Sequence, residues 1–163
     1  MPVEIERKFL LPGPPPVEMG EGQLLQQGYL SDDPERTVRV RLAGEQGFLT
    51  IKGMTQADGL TRFEWEKEIP ADDAQELLAL GLPGVIVKTR YRVPLEGNLW
   101  EIDCYQGKLK GLWVAEVELA SAAEVVSLPP WLGREVSGDG QYTNAALRRI
   151  VATNEDWRKA LPR

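Results

Sequence analysis

The residues of this chain that could do chemistry come as like-charged pairs two positions apart. Glu4 and Glu6, Glu64 and Glu66, Glu101 and Asp103, and Glu116 and Glu118 are acidic; Arg39 and Arg41, and Lys88 and Arg90, are basic. In an extended strand such positions share a face, roughly 7 Å apart. Two like charges at that separation repel by about 2 kcal/mol at an effective dielectric constant near 20. Taken singly, each strand could be an ordinary half-buried one, apolar face inward and charges in solvent. Surface sheets, however, mix signs along a face, and here each pair keeps one sign. A chain that repeats this cost needs counter-charges. Divalent cations neutralise paired carboxylates, and phosphates neutralise paired arginines and lysines. Both kinds of pair in one sheet point to a single cavity holding metal and phosphate together.

Composition narrows the chemistry. The chain has no histidine and a single cysteine, Cys104, so a zinc site is not expected. Any metal has to be held by oxygen, which points to magnesium, manganese or calcium. The net charge of −6 argues against a broad nucleic-acid-binding face but is compatible with a basic pocket. One cysteine gives no internal disulfide, and the N-terminus is charged by its fourth residue with no apolar leader. The longest apolar stretch, "ELLALGLPGVIVK", is broken by Gly and Pro and is too short to span a bilayer. A cytoplasmic location without a membrane partner is therefore expected. At 163 residues and 42% hydrophobic content, one domain over 1–163 is expected.

Strands must position these pairs. The first runs from Val3 to Leu10, with Glu4, Glu6 and Lys8 on one face and Val3, Ile5, Arg7 and Phe9 on the other. "LLQQGYLS", "RTVRVRLA", "GFLTIKG", "LTRFEWEKEIP", "GVIVKTRYRVPL", "NLWEIDCYQG" and "GLWVAEVELA" alternate in the same way. "PADDAQELLALG" has the acidic first turn and terminal Gly of a short helix. "SAAEVVSL" carries the capping-box spacing Ser121 to Glu124, which predicts a second short helix. "YTNAALRRIVATNEDWRKAL" predicts one longer C-terminal helix with Ala146, Ile150 and Trp157 on one side. Many strands, few helices and hairpin-length connections favour a mainly β (α+β) fold built on an antiparallel sheet or barrel.

Taken in order, "EIERKFL", "QQGYL", "VRVRL", "TIKG", "FEWEKEI", "VKTRYRV", "WEIDCY", "VAEVEL" and "PPWLGREVSGDGQYTNAAL" resemble the CYTH superfamily, the triphosphate tunnel metalloenzymes, over nearly the whole chain. The first of these is the ExExK signature, weak alone and specific with the paired strands that follow. The resemblance implies an eight-stranded antiparallel β-barrel around a charged tunnel, with a few outer helices including a C-terminal one. Charged faces would then point in. It implies a triphosphate clamp of Lys8, Arg39, Arg41, Lys52, Lys88 and Arg90, with Arg62 sharing their parity. It implies metal ligands among Glu4, Glu6, Glu64, Asp103, Glu116 and Glu118, with Glu66 and Glu101 as further ligands, water-orienting groups or simple counter-charges. Tyr29 resembles a family tyrosine placed near the ExExK lysine, so Glu4, Glu6, Lys8 and Tyr29 form the expected catalytic set. Gly140 and Gln141 stand where the family often carries basic residues, which leaves a phosphate contact from the C-terminal segment open. Arg148 and Arg149 lie further along the helix.

The activity implied is hydrolysis of a small-molecule triphosphate with Mg²⁺ or Mn²⁺, most simply inorganic tripolyphosphate to pyrophosphate and phosphate. Without histidine, the base is a carboxylate or a metal-bound hydroxide. A class IV-type adenylate cyclase, a thiamine triphosphatase and a non-catalytic polyphosphate or nucleotide sensor are the alternatives. No nucleic-acid partner is expected, and the sequence is silent on oligomeric state.

Overall fold

A computed structural model describes residues 2–162. Period-two alternation yields eight strands, β1 (Val3–Leu11), β2 (Gln23–Ser31), β3 (Arg36–Ala43), β4 (Gln46–Gly53), β5 (Thr61–Pro70), β6 (Ile86–Leu95), β7 (Asn98–Tyr105) and β8 (Trp113–Glu118). All neighbours are antiparallel, in the order β1-β5-β4-β3-β2-β6-β7-β8, and β8 returns to β1 to close a barrel. Closure leaves no strand edge to pair with another chain. The tight turns obey their chemistry. Leu95 pairs with Asn98 across a two-residue loop in which Glu96 and Gly97 both have positive φ, as a type I′ hairpin turn requires.

The apolar faces point outward, and different segments cover them. Phe9, Trp100, Ile102, Ala115 and Val117, on β1, β7 and β8, are sealed by Leu119, Val126, Trp131 and Leu132 of the chain after β8, and by Val17 and Met19 of the loop after β1. Helix α1 (Ala71–Leu80) lies over β2, β3 and β4. It seats so closely that a Cβ at Gly47 would meet that of Ala74 at 2.7 Å. Part of the outside of β5, at Phe63 and Trp65, stays exposed.

Two predicted helices differ in the structure. Residues 121–128 form a turn and then extended chain. The Glu124 carboxylate does reach back to the Ala120 N–H at 2.7 Å, as a capping glutamate would. The helix does not propagate because Val125 and Val126 are β-branched, Val126 is drawn into the outer core, and Pro129 and Pro130 follow. The C-terminal segment is two helices, α2 (Asn144–Thr153) and α3 (Trp157–Ala160). They are separated at Asn154, which is left-handed at φ 60°, and α3 restarts on an Asp156 cap. The buried side of α2 is Ala145, Leu147, Arg148 and Ile150 rather than Ala146. Leu147, Ile150 and Trp157 join Tyr142 and Val136 against Ile86, Tyr105 and Val114 in a second apolar cluster, so the C-terminal segment packs over part of one end of the barrel. No helix among the described residues is long and apolar enough to cross a membrane.

Candidate active site

Inside the barrel lies a cavity of about 480 Å³, lined by the charged faces of the strands and, towards one end, by loops and the C-terminal segment. The inward parity of β1 supplies Glu4, Glu6 and Lys8; β3 supplies Arg39 and Arg41; β4, Lys52; β5, Arg62, Glu64 and Glu66; β6, Arg90; β7, Glu101; β8, Glu116 and Glu118; and β2, Tyr29. Lys8 of β1 and Arg62 of β5 apart, the strand order divides them by sign. The cations of β3, β4 and β6 face the carboxylates of β1, β5 and β8.

On the cationic side, Arg41 donates through Nε and Nη2 to the Gln27 side-chain oxygen at 3.2 and 2.9 Å. Burial, followed by the charges of Arg39 and Arg90, pushes the Arg41 guanidinium down from its ordinary pKa. This is the response of a cation held among cations without enough anion. Arg39 donates from Nη2 to Thr50 at 3.2 Å and lies 3.5 Å from Glu66, but its buried Nε has no partner among the described residues. A buried donor left unmade is costly, and the Arg39 side chain that carries it lines the cavity. Arg62 is tied to the Gly53 carbonyl and Thr37 at the rim.

On the acidic side, strand register places Glu6 opposite Glu118 and Glu101 opposite Glu116. Directly opposed like charges destabilise a sheet. The cavity shows the result. Burial, then Glu116 and Glu4, push the Glu6 carboxyl well up; burial and neighbouring carboxylates also raise Glu118. Glu116 goes the other way: burial opposes ionisation, but Lys8 at 3.7 Å and Arg90 hold it down to about 2. Lys52 sits between Glu4 at 2.9 Å and Glu64 at 3.2 Å. Among the described residues no three carboxylates already converge into a ready ligand cage. The donor set nevertheless fits a hard divalent cation. It is all oxygen and it crowds like charges, and burial with neighbouring carboxylates pushes Glu6 and Glu118 upward, as expected of carboxyls short of a counter-ion.

Two expected residues sit elsewhere. Lys88 and Asp103 do not line the cavity; they lie beneath its wall, 0% and 1% exposed, with Nζ 2.7 Å from Oδ2. Asp103 also accepts two hydrogen bonds from Arg90, at 2.8 and 2.9 Å, which hold it far below the ordinary carboxylate range despite burial. Their inward parity matches the sequence, but the barrel interior is filled at their level, with Lys88 against the Tyr105 ring. Several lining residues carried no expected role. Thr37 and Arg92 share the parity of Arg39 and of Arg90, a signal the sequence does contain. Asp32, Ser137, Asn144 and Arg149 come from loops and from α2, where no periodicity marks them.

Comparison with known proteins agrees with this geometry. A family model described as the CYTH domain matches residues 2–144. The chain is 42% identical over 145 residues to a protein of Acetivibrio thermocellus named inorganic triphosphatase, covering 88% of this chain and 92% of that one. It is 38% identical over 148 residues to an inorganic triphosphatase of Nitrosomonas europaea, covering 88% and 95%. Among solved structures, that of an inorganic triphosphatase superimposes with a TM-score of 0.63 at 36% identity, over 88% of this chain and 96% of the other.

Proposed function

The chain belongs to the CYTH domain family, and from that premise we propose that it is a divalent-metal-dependent triphosphatase. Its preferred substrate is linear inorganic triphosphate, hydrolysed to pyrophosphate and phosphate with Mg²⁺ or Mn²⁺. One observation carries the proposal: a cavity of about 480 Å³ inside the barrel sets a cationic wall against a wall of crowded carboxylates. Tyr29 is the one aromatic side chain in the lining among the described residues, so the cavity offers little to grip a nucleobase or thiamine and much to grip a polyanion.

In this scheme Arg39, Arg41, Lys52, Arg62 and Arg90 bind and align the phosphates, Arg through planar forks and Lys as a point charge. Lys88, with Asp103, supports Arg90 from below. Glu4, Glu6, Glu64, Glu116 and Glu118 hold the cation, which supplies charge neutralisation on the phosphoryl oxygens when bound. Water attacks the terminal phosphorus, the bond to the bridging oxygen breaks, and pyrophosphate leaves. Glu6, in its ionised form, takes the water's proton, and its raised affinity for a proton suits a base. Lys8, charged because Glu116, Glu6 and Glu4 outweigh its burial, offsets the negative charge that develops. Tyr29, paired in register with Arg39, orients the phosphate beside it.

The test is a substrate panel of tripolyphosphate, ATP, thiamine triphosphate and pyrophosphate, with Mg²⁺, with Mn²⁺ and with EDTA. Tripolyphosphate should be turned over fastest, only with metal. Cyclic AMP as the main product from ATP with tripolyphosphate untouched, or tight binding with no metal-dependent turnover, would replace this proposal with a cyclase or a sensor.

A further inference from the structure

The cavity opens between the β2–β3 loop, the β4–β5 loop and the start of the C-terminal segment, where Asp32, Thr55, Gly59, Ser137 and Arg149 reach its lining. Two consecutive arginines of α2 meet one carboxylate oxygen there. Asp32 Oδ2 accepts from Arg148 Nη2 at 2.8 Å and from Arg149 Nε at 3.0 Å.

The two arginines are spent differently. Arg148 is buried and also donates to the Pro83 carbonyl at 2.6 Å, tying α2 to the chain before β6. Arg149 has a side chain 54% exposed, and neither of its terminal amino groups donates to the protein among the described residues. Two guanidiniums share one carboxylate in this cluster, so Asp32 alone does not neutralise it. Asp32 holds Arg149 by Nε alone, which fixes the plane of the guanidinium and leaves its outer edge free. A guanidinium held this way offers the fork geometry that phosphate oxygens accept.

We propose that Arg149 is a substrate-binding residue, contacting the outermost phosphate of the triphosphate at the mouth of the tunnel, and that Asp32 is the residue that positions it. The inference rests on the triphosphatase proposal and adds to it a cationic contact from α2, where Gly140 and Gln141 before it supply no charge. It also gives the mouth a role in selection. A charged phosphate terminus satisfies Arg149, and an esterified terminus with fewer free oxygens satisfies it less.

The experiment measures tripolyphosphate and ATP affinity by calorimetry without added metal, with Tm as the check on folding, for wild type, Arg149→Ala, Arg149→Lys, Asp32→Asn, the Asp32→Asn/Arg149→Ala double variant and Arg39→Ala. Loss of one charge-assisted phosphate contact should weaken tripolyphosphate binding about tenfold in Arg149→Ala. Arg149→Lys should recover part of that loss, and ATP should be affected less. Asp32→Asn alone should also weaken binding, but should change nothing further once Arg149 is gone. A mere counter-charge at position 32 would do the opposite, since removing it would strengthen anion binding, and that result overturns the positioning role. Wild-type affinity in Arg149→Ala, with Arg39→Ala impaired, overturns the inference while leaving the triphosphatase proposal standing. No tripolyphosphate binding by the wild type removes both.

Discussion

Glu4 and Glu64 flank the Lys52 ammonium, at 2.9 and 3.2 Å, and compete for it as counter-ion. Burial and the Glu4 partner lift Glu64 to about 7, whereas Lys52 outweighs burial and holds Glu4 at about 2. Both sit near 4.5 before the environment acts. A raised carboxyl binds more protons folded than unfolded, so its contribution to stability is present below 4.5 and lost as pH climbs through about 7. The depressed Glu4 contributes above 4.5 and loses its contribution as pH falls towards about 2. The metal-free protein should therefore lose thermal stability as the pH rises through the Glu64 transition, and added Mg²⁺ should raise Tm more above that transition than below it. Glu64→Gln should flatten the slope; Tm profiles with and without EDTA measure it, and a flat wild-type profile would contradict the raised Glu64 carboxyl. Asp103 makes a second case at this scale. It is the anion that compensates Lys88 and Arg90 in the buried layer. Removing one partner of such a group leaves charge unpaired and costs about 3–5 kcal/mol. Asp103→Ala should thus unfold at markedly lower denaturant even in EDTA, whereas a residue that served only as a metal ligand would leave the metal-free protein unaffected.

At the scale of elements, Gly84 decides how α2 is held. It sits at φ +95°, and a Cβ there would meet the Arg148 carbonyl oxygen at 2.3 Å and the Ala152 nitrogen at 3.0 Å. Gly84→Ala should therefore combine a left-handed backbone with a clash against helix backbone and cost about 1–3 kcal/mol. By loosening α2 it should also weaken tripolyphosphate binding through Arg149, which chemical denaturation and calorimetry on one sample would show together. None of this was visible in the chain order, and the reason is physical. Period-two alternation is local, so all eight strands and the shared faces of Glu4 and Glu6, Arg39 and Arg41, or Glu116 and Glu118 were legible from parity, while the family resemblance implied that those faces point in. Parity gives a face but not a depth along the barrel axis, so Lys88 and Asp103 looked the same as Arg90 and Glu101 until the filled layer separated them. The capping spacing at Ser121 was present, and its glutamate does bond back to Ala120, but the demand for Val126 in the outer core won over a helix. Asn154 ended α2 in the left-handed conformation that asparagine tolerates, a signal the "ATNED" run did contain. Arg149 could not be found because its partner Asp32 is 117 positions away.

Across the whole molecule, the barrel inverts the usual distribution, with apolar side chains outside under covering segments and charges within. The chain as a whole carries −6, yet it encloses a site for a polyanion. Long-range attraction from the protein's net charge cannot draw the substrate in, so capture has to come from the local field of the cavity, where low-dielectric walls concentrate the effect of a few cations. The inversion makes a prediction that separates inside from outside on a single sheet. Arg39 points inward with its Nε unpartnered, Glu118 points inward opposite Glu6, and Lys67 lies on the outer parity of β5 opposite Leu49. Arg39→Ala removes a clamp contact, so tripolyphosphate affinity should fall by about 1.5–3 kcal/mol, roughly tenfold to a hundredfold. Glu118→Gln removes one of two opposed carboxyls. The metal-free protein should become slightly more stable, because the repulsion with Glu6 is relieved, while the Mg²⁺ concentration needed for turnover should rise. A substitution that stabilises the fold and weakens the activity is the signature of charge kept for a ligand rather than for folding. Lys67→Ala should stay within about half a kcal/mol of wild type in stability and should leave affinity and metal requirement unchanged. Were the charged faces simply solvated surface, all three variants would behave as Lys67→Ala does, and equal Tm, equal tripolyphosphate affinity and equal metal requirement across the set would refute a functional tunnel.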